Sequence, residues 1–192
     1  PENGPSGILP DNPRWFSPPA FGMDTYEELF TPRQLTALTT FSALVAEAQK
    51  KAEADAVVVG VPDDHIPLRE GGDGARAYGE AVGVYLAFAV DKSANLWSTI
   101  VSWMNDRGAF RETFARQAIP MVWDYAEANP FSDSGGNFSM FIDRCADTIS
   151  YIPTHRNTGV SQQADAQRIT TIRVERSEHS QKRRLHTMKK QT

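Results

Sequence analysis

The chain of 192 residues is 40% hydrophobic and 23% charged, a composition that excludes wholesale disorder and leaves enough length for one real core. No run approaches the ~18 uncharged apolar residues of a membrane-spanning helix, and a lone cysteine, Cys145, excludes an intrachain disulfide and a four-cysteine zinc site within these residues. The net charge of −4 is unevenly spread: residues 1–167 hold 12 Lys and Arg against 22 Asp and Glu, whereas residues 168–192 hold 8 against 2.

Residues 1–22 contain six prolines (Pro1, Pro5, Pro10, Pro13, Pro18 and Pro19) and are expected to form a proline-rich, irregular lead-in, because proline removes a donor and fixes φ. Trp15, Phe16, Phe21 and Met23 are too apolar for a free linker and are expected to pack on a neighbouring surface. Thr31-Pro32 then reads as a helix start: threonine is a good N-cap, and proline suits the first helical position. Leu35, Leu38, Phe41, Val45, Ala48 and Ala52 recur at three- and four-residue steps, so an amphipathic helix is expected to run to about Asp55. Ala56–Val61 is β-branched and short, readable as a strand or as the helix end, and Pro62 terminates it either way.

Residues 62–74 read as a loop. Its Gly-Gly-Asp-Gly stretch lacks the Lys-Ser/Thr of a phosphate loop and the spacing of a dinucleotide fingerprint. From Ala75 to Met104 the pattern predicts the longest helix, with Tyr78, Val82, Tyr85, Ala89, Leu96, Ile100 and Trp103 in one stripe, broadened by Leu86, Trp97 and Val101. Asp106-Arg107-Gly108 breaks it. A short polar helix is expected over Phe110–Ala118, another short helix or turn over Met121–Ala128, and a loop over Ser132–Gly136. Asn137 then caps a helix over Phe138–Ile149, with Phe141, Cys145 and Ile149 facing inward.

Gly159–Gln162 reads as a short strand leading into Gln163-Ala164-Asp165-Ala166, after which apolar periodicity fades. The expected organisation is a lead-in over 1–22, a helical segment over 23–167 and a basic, disordered tail over 168–192, with no internal repeat. A tail of this charge can hold nucleic acid by neutralising phosphates. The expected fold class is mainly α with few short strands.

The four histidines show no recognisable metal pattern, and no Gly-x-Ser-x-Gly elbow supports a hydrolase. Asp63-Asp64 sits in a glycine-rich loop, where solvated carboxylates are the ordinary explanation. Cys145 reads as a small core residue rather than a nucleophile. No catalytic residue is assigned; Asn129-Pro130-Phe131 is the candidate, set against a helix-terminating turn because the second proline of the motif is absent. Enzymes that methylate exocyclic amines use an Asn/Asp-Pro-Pro-aromatic turn, in which side-chain and backbone oxygens accept the amine and the ring stacks on a flipped base. Asp165, just past a short strand, is the cofactor candidate, as an acceptor for an adenine amino group at a strand mouth.

Several ordered blocks resemble one family. Phe21-Gly22-Met23, then Leu29-Phe30-Thr31-Pro32-Arg33-Gln34-Leu35 and Leu38-Thr39-Thr40-Phe41, form the first. Tyr85-Leu86-Ala87-Phe88-Ala89 with Asp91 forms the second. Thr113 to Asp124, continuing through Glu127-Ala128-Asn129-Pro130-Phe131-Ser132, forms the third. Together they resemble the adenine-specific DNA methylases that carry a zinc ribbon, over about residues 21–166. The resemblance implies S-adenosylmethionine as cofactor, DNA as partner and a role in restriction-modification or anti-phage defence, while the lone cysteine leads to the expectation of a reducing, cytoplasmic setting. The resemblance also implies that these residues form the helical middle of a class I α/β, Rossmann-like methyltransferase, with Asp165 as the one cofactor contact carried over. The glycine-rich cofactor motif, the zinc-ribbon cysteines and the catalytic Asp-Pro-Pro-Tyr are not in this sequence. The chain is therefore expected to be a segment of a longer enzyme, to need the missing parts of that enzyme as partners, and to be inactive alone. The alternative function is a non-enzymatic, DNA-associated fragment acting through its basic tail.

Overall fold

A computed structural model describes residues 4–12 and 14–152. The expected strand at Gly159–Gln162, Asp165 and the basic tail lie outside the described residues. Those described are mainly helical, with one two-stranded antiparallel sheet: helices α1 (Pro32–Val58), α2 (Ala75–Ala94) and α3 (Phe138–Ser150), and strands β1 (Ser102–Met104) and β2 (Ala109–Arg111).

Helix α1 starts where the sequence places it. Thr31 Oγ1 accepts the Gln34 N–H at 3.2 Å and Gln34 Oε1 accepts the Thr31 N–H at 2.8 Å, a reciprocal cap that satisfies two otherwise orphaned donors. The helix overruns its expected end at Asp55 and continues to Val58, so Ala56–Val61 is a helix end and not a strand. Gly60 stops it with φ of 91°, and the Val61 and Gly60 N–H groups close back on the Ala56 and Val57 carbonyls.

Helix α2 packs along α1 through small residues. Ala75, Ala77, Gly79, Gly83, Ala89 and Ser93 are its buried positions, whereas Tyr78 is 55% exposed, so the large residues of the expected stripe are not what α2 buries against α1. A Cβ at Gly79 would lie 2.8 Å from the Gln49 carbonyl oxygen and from Glu53 Cβ. Two glycines one turn apart let the helix backbones approach closely.

The long helix expected over Ala75–Met104 ends at Ala94. Asn95 leaves the helix because its groups are used elsewhere: its carbonyl accepts the Thr113 N–H, its Oδ1 the Phe114 N–H, and its Nδ2 donates to Glu112. Leu96, Trp97, Ile100 and Val101 keep a helix-like spacing, yet they lie in turns and are all buried. Trp103 of the same expected stripe is instead in β1 and 48% exposed. Arg107-Gly108 reverses the chain, with Gly108 at φ of 58°, and Trp103 pairs across the hairpin with Phe110.

The short helix expected over Phe110–Ala118 is absent. Strand β2 takes its first residues, and Asn95 and Ser98 capture Thr113 and Phe114; the buried Ser98 and Thr113 hydroxyls lie 2.6 Å apart. Met121–Ala128 is irregular, tied by the Ala126 N–H to the Val101 carbonyl. Helix α3 begins at the expected cap, Asn137 Oδ1 accepting the Met140 N–H at 2.7 Å. Phe141 is buried and Cys145 half-buried against the same cluster, but Ile149 is 40% exposed and does not face the core.

Two clusters form the core. The first joins Leu9, Leu29, Phe30, Leu35, Ile100 and Ile119, with Phe16 and Met23 packed on it. The second joins Ala89, Leu96, Trp97, Ala128 and Phe141, with Phe41 and Phe138 packed on it. The lead-in is thus irregular but docked: Ile119 exchanges backbone hydrogen bonds with Trp15 and Ser17, and Leu9 is buried.

The glycine contacts predict opposite outcomes for two alanine substitutions. Gly79→Ala pushes on backbone and should lower stability by about 1–3 kcal/mol, the usual cost of overpacking. Gly83→Ala meets the movable Gln49 Oε1, 2.9 Å away, so the better helix propensity of alanine should leave stability unchanged or raised by up to about 1 kcal/mol. Urea denaturation of both variants checks the difference in sign.

Candidate functional site

The Asn129-Pro130-Phe131 turn forms one wall of a cleft of about 290 Å³, lined also by Arg33, Gln34, Ala37, Trp97, Glu127 and Ala128. The N-terminal turn of α1 supplies Arg33 and Gln34, and the buried segment after α2 supplies Trp97. The Arg33 guanidinium grips Glu127 through both nitrogens, Nε to Oε1 at 2.9 Å and Nη2 to Oε2 at 2.5 Å. This ion pair joins the first and third resemblance blocks at the cleft's rim. It is largely solvent-exposed on the arginine side, so it orients more than it stabilises.

Behind the rim lies Gln34, 4% exposed. Its Oε1 serves the helix cap, while its Nε2 is buried without a hydrogen-bond partner among the described residues. A buried unpaired amide donor costs roughly 1–3 kcal/mol. Trp97 forms an apolar wall. Its Nε1 donates to the Gly136 carbonyl at 2.7 Å, and its ring lies within 5.7–6.4 Å of the Phe41, Phe138 and Phe141 rings.

The Asn129 turn itself is internally satisfied. Asn129 Oδ1 accepts the Phe131 N–H at 3.0 Å, the Asn129 carbonyl accepts from Ser132, and the Pro130 carbonyl accepts the Phe138 N–H. Both kinds of oxygen that an amine acceptor would use are therefore committed to local structure. Phe131 is 83% exposed and borders a second cleft whose charged groups are Asp133, Asp143, Asp147 and Arg144. That excess of carboxylates opposes an approaching phosphate.

The loop over residues 62–74 offers S-adenosylmethionine no glycine-lined cradle. The glycine-rich stretch after Glu70 is filled by its own chain: a Cβ at Gly74 would lie 2.5 Å from Asp64 Oδ1 and 2.6 Å from the Pro62 carbonyl oxygen. Asp64 closes this loop by accepting the Ile66 and Asp73 N–H groups, and the first of these contacts chiefly holds its carboxyl below the ordinary range. His65, at φ of 54°, places Nδ1 3.0 Å from Asp63. Asp63 and Asp64 are thus loop-closing groups. Among the described residues no group of three or more His, Cys, Asp or Glu side chains could hold a metal ion, and no helix is long and apolar enough to cross a membrane.

The Asn129 turn was visible in the sequence; the cleft around it was not. Gln34 was legible as the fourth position of a Thr-x-x-Gln capping box, whereas the Arg33–Glu127 pair spans 94 residues and left no local signal. Comparison with protein-family profiles, with curated proteins and with solved structures gives no match.

On the hairpin side of the molecule, Glu112 accepts from Lys92 Nζ at 2.6 Å and from Asn95 Nδ2 at 2.9 Å, and these contacts, with lysine first, hold its carboxyl below the ordinary value of 4.5. A depressed folded-state pKa means that folding favours the ionised form. The stabilisation is complete above pH 4.5 and is lost as pH falls through the lower, folded-state value. Glu112→Gln should therefore destabilise the chain at pH 7 and flatten its loss of stability on acidification below pH 4.5, as read by thermal melts across the acid range.

Proposed function

We propose that this chain is the helical middle segment of an S-adenosylmethionine-dependent, adenine-specific DNA methyltransferase of Rossmann-like class, acting in the cytoplasm in restriction-modification or anti-phage defence. What carries it is the resemblance of the ordered sequence blocks to that family. What supports it further is that these blocks pack on one another. Leu29, Phe30 and Leu35 of the first meet Ile119 of the third in one cluster, Arg33 pairs with Glu127, and Ala89 of the second shares a cluster with Phe41.

In this proposal the cofactor is held by Asp165 together with the missing parts of the enzyme, since the glycine-rich loop after Glu70 is closed by its own chain. Methyl transfer needs the sulfonium methyl group and the adenine amine aligned to within a fraction of an ångström. The described residues supply neither a closed cofactor site nor a free acceptor turn. Isolated contacts of about 0.5–3 kcal/mol each do not assemble that geometry.

Incubated with labelled S-adenosylmethionine and unmethylated DNA, the purified chain should leave no label in N6-methyladenine. Co-expressed with a polypeptide bearing the family's glycine-rich motif and Asp-Pro-Pro-Tyr turn, it should restore labelling. Reproducible label from the chain alone, lost on Asn129→Ala, would overturn the inactivity and make Asn129-Pro130-Phe131 the catalytic turn. Failure to restore methylation with any such complement would sink the family assignment.

A further inference from the structure

The cleft beside Asn129 holds one donor that the fold does not use. Gln34 lines it and is 4% exposed, and its Nε2 has no hydrogen-bond partner among the described residues. The capping box accounts for only half of this amide. It needs Oε1, and a glutamate at the same position would supply that oxygen without burying an N–H. The amide is also fixed in orientation, because turning it over would set Nε2 against the Thr31 N–H, donor against donor. Water is shut out of Nε2, so solvent does not satisfy it.

The rest of the lining decides what would. Ala37, Ala128 and Pro130 are apolar, and the Trp97 Nε1 is already given to the Gly136 carbonyl. These walls offer a flat ligand contact but no polar bond. At the rim Glu127 accepts from Arg33 through both oxygens, and each oxygen keeps a lone pair for a further donor. A volume of about 290 Å³ is at the small end of ligand pockets.

We propose that this cleft binds a small neutral carboxamide or lactam. Its carbonyl accepts from Gln34 Nε2, its N–H donates to Glu127, and its flat apolar body lies against Trp97 and Pro130. A carboxamide carries an acceptor and a donor in one plane, which is the pair of groups the cleft calls for. A carboxylate would meet Glu127 as a like charge, and a ketone would leave Glu127 unserved. The occupant reaches Nε2 as the Arg33–Glu127 pair shifts; the Arg33 side chain is 77% exposed, so the pair moves at little cost. Binding here needs neither DNA nor S-adenosylmethionine and is independent of the methyltransferase reading.

The test is a titration of the full, isotope-labelled 192-residue chain with benzamide, followed in proton–nitrogen correlation spectra. The Gln34 side-chain amide and the Trp97 indole N–H should shift together and saturate with a Kd of about 1 mM, in keeping with so small a ligand. Benzoate and acetophenone should each bind about 2- to 10-fold more weakly. Gln34→Glu keeps the cap oxygen and removes the donor, and should weaken benzamide binding about 5- to 150-fold. Ala37→Leu should fill the cleft and abolish the shifts, while the rest of its spectrum stays that of the parent chain.

No shift at Gln34, or undiminished affinity in Gln34→Glu, would overturn the site. Equal affinity for benzoate would overturn the carboxamide class, and so would tighter binding of adenine, which would make the cleft a nucleobase pocket. Failure here and failure of the methyltransferase assignment read out separately. A chain that complements methylation without answering to benzamide loses only this site. One that binds benzamide through Gln34 and never complements loses only the enzyme assignment.

Discussion

The fold depends on one buried segment, Leu96–Val101, that leaves helix α2 and runs between the two halves of the core. Leu96 and Trp97 belong to one cluster and Ile100 to the other, so a short run of turn joins two packed regions. Such a segment must find partners for its backbone and polar groups away from water. It finds them at long range: the Thr99 N–H and Oγ1 both donate to the Leu29 carbonyl, the Ser98 hydroxyl meets Thr113, and the Val101 carbonyl accepts from Ala126. Each of these bonds ties the segment to a different stretch of the chain. The stretch before α1 and the run after the hairpin are therefore positioned by the same few residues, and the lead-in joins them where Leu9 packs with Ile100.

Trp97 makes that dependence concrete. Its indole N–H needs an acceptor once buried, and it takes the Gly136 carbonyl. Gly136 can present that carbonyl because it sits at φ of 85°, with Ala128 so near that a Cβ would lie 2.7 Å from the alanine methyl. The glycine-rich loop over Ser132–Gly136 is thus a fitted part of the core. It sets the entry of α3, and with it the path of Asn129–Phe131, which runs between the glycine loop and the N-terminus of α1. The apolar wall of the candidate cleft and the anchor of the third helix are one side chain.

How far the sequence exposed this depends on the range of each signal. The starts of α1 and α3 were legible because capping is local: Thr31 and Asn137 each act on a group three residues away. The end of α2 was not. Leu96, Trp97, Ile100 and Val101 continue the helical spacing, and nothing within them says that burial comes from two sides rather than one face. What ends the helix is Asn95, engaged with residues 17 to 19 positions downstream. The same holds for Phe110–Ala118, whose helix-like polarity yields to a hairpin set by Gly108 and to hydrogen bonds from Asn95. The α1–α2 contact was hidden for the opposite reason: it is made by residues with almost no side chain, which a search for apolar stripes passes over. At the candidate site, Asn129-Pro130-Phe131 was visible as a motif. The commitment of its oxygens to Phe131, Ser132 and Phe138 depends on tertiary context.

Charge divides the surface around that core. The face near Phe131 carries Asp133, Asp143 and Asp147 against Arg144, while the hairpin carries Arg107, Arg111 and Arg116 with its acids already paired. The two are linked at close range, because Phe110 packs beside Gly136 and one cleft is lined by Glu112 and Arg144 together. At physiological salt charges influence an approaching polyanion over about 8 Å, so an opposed pair of faces this close sets a direction.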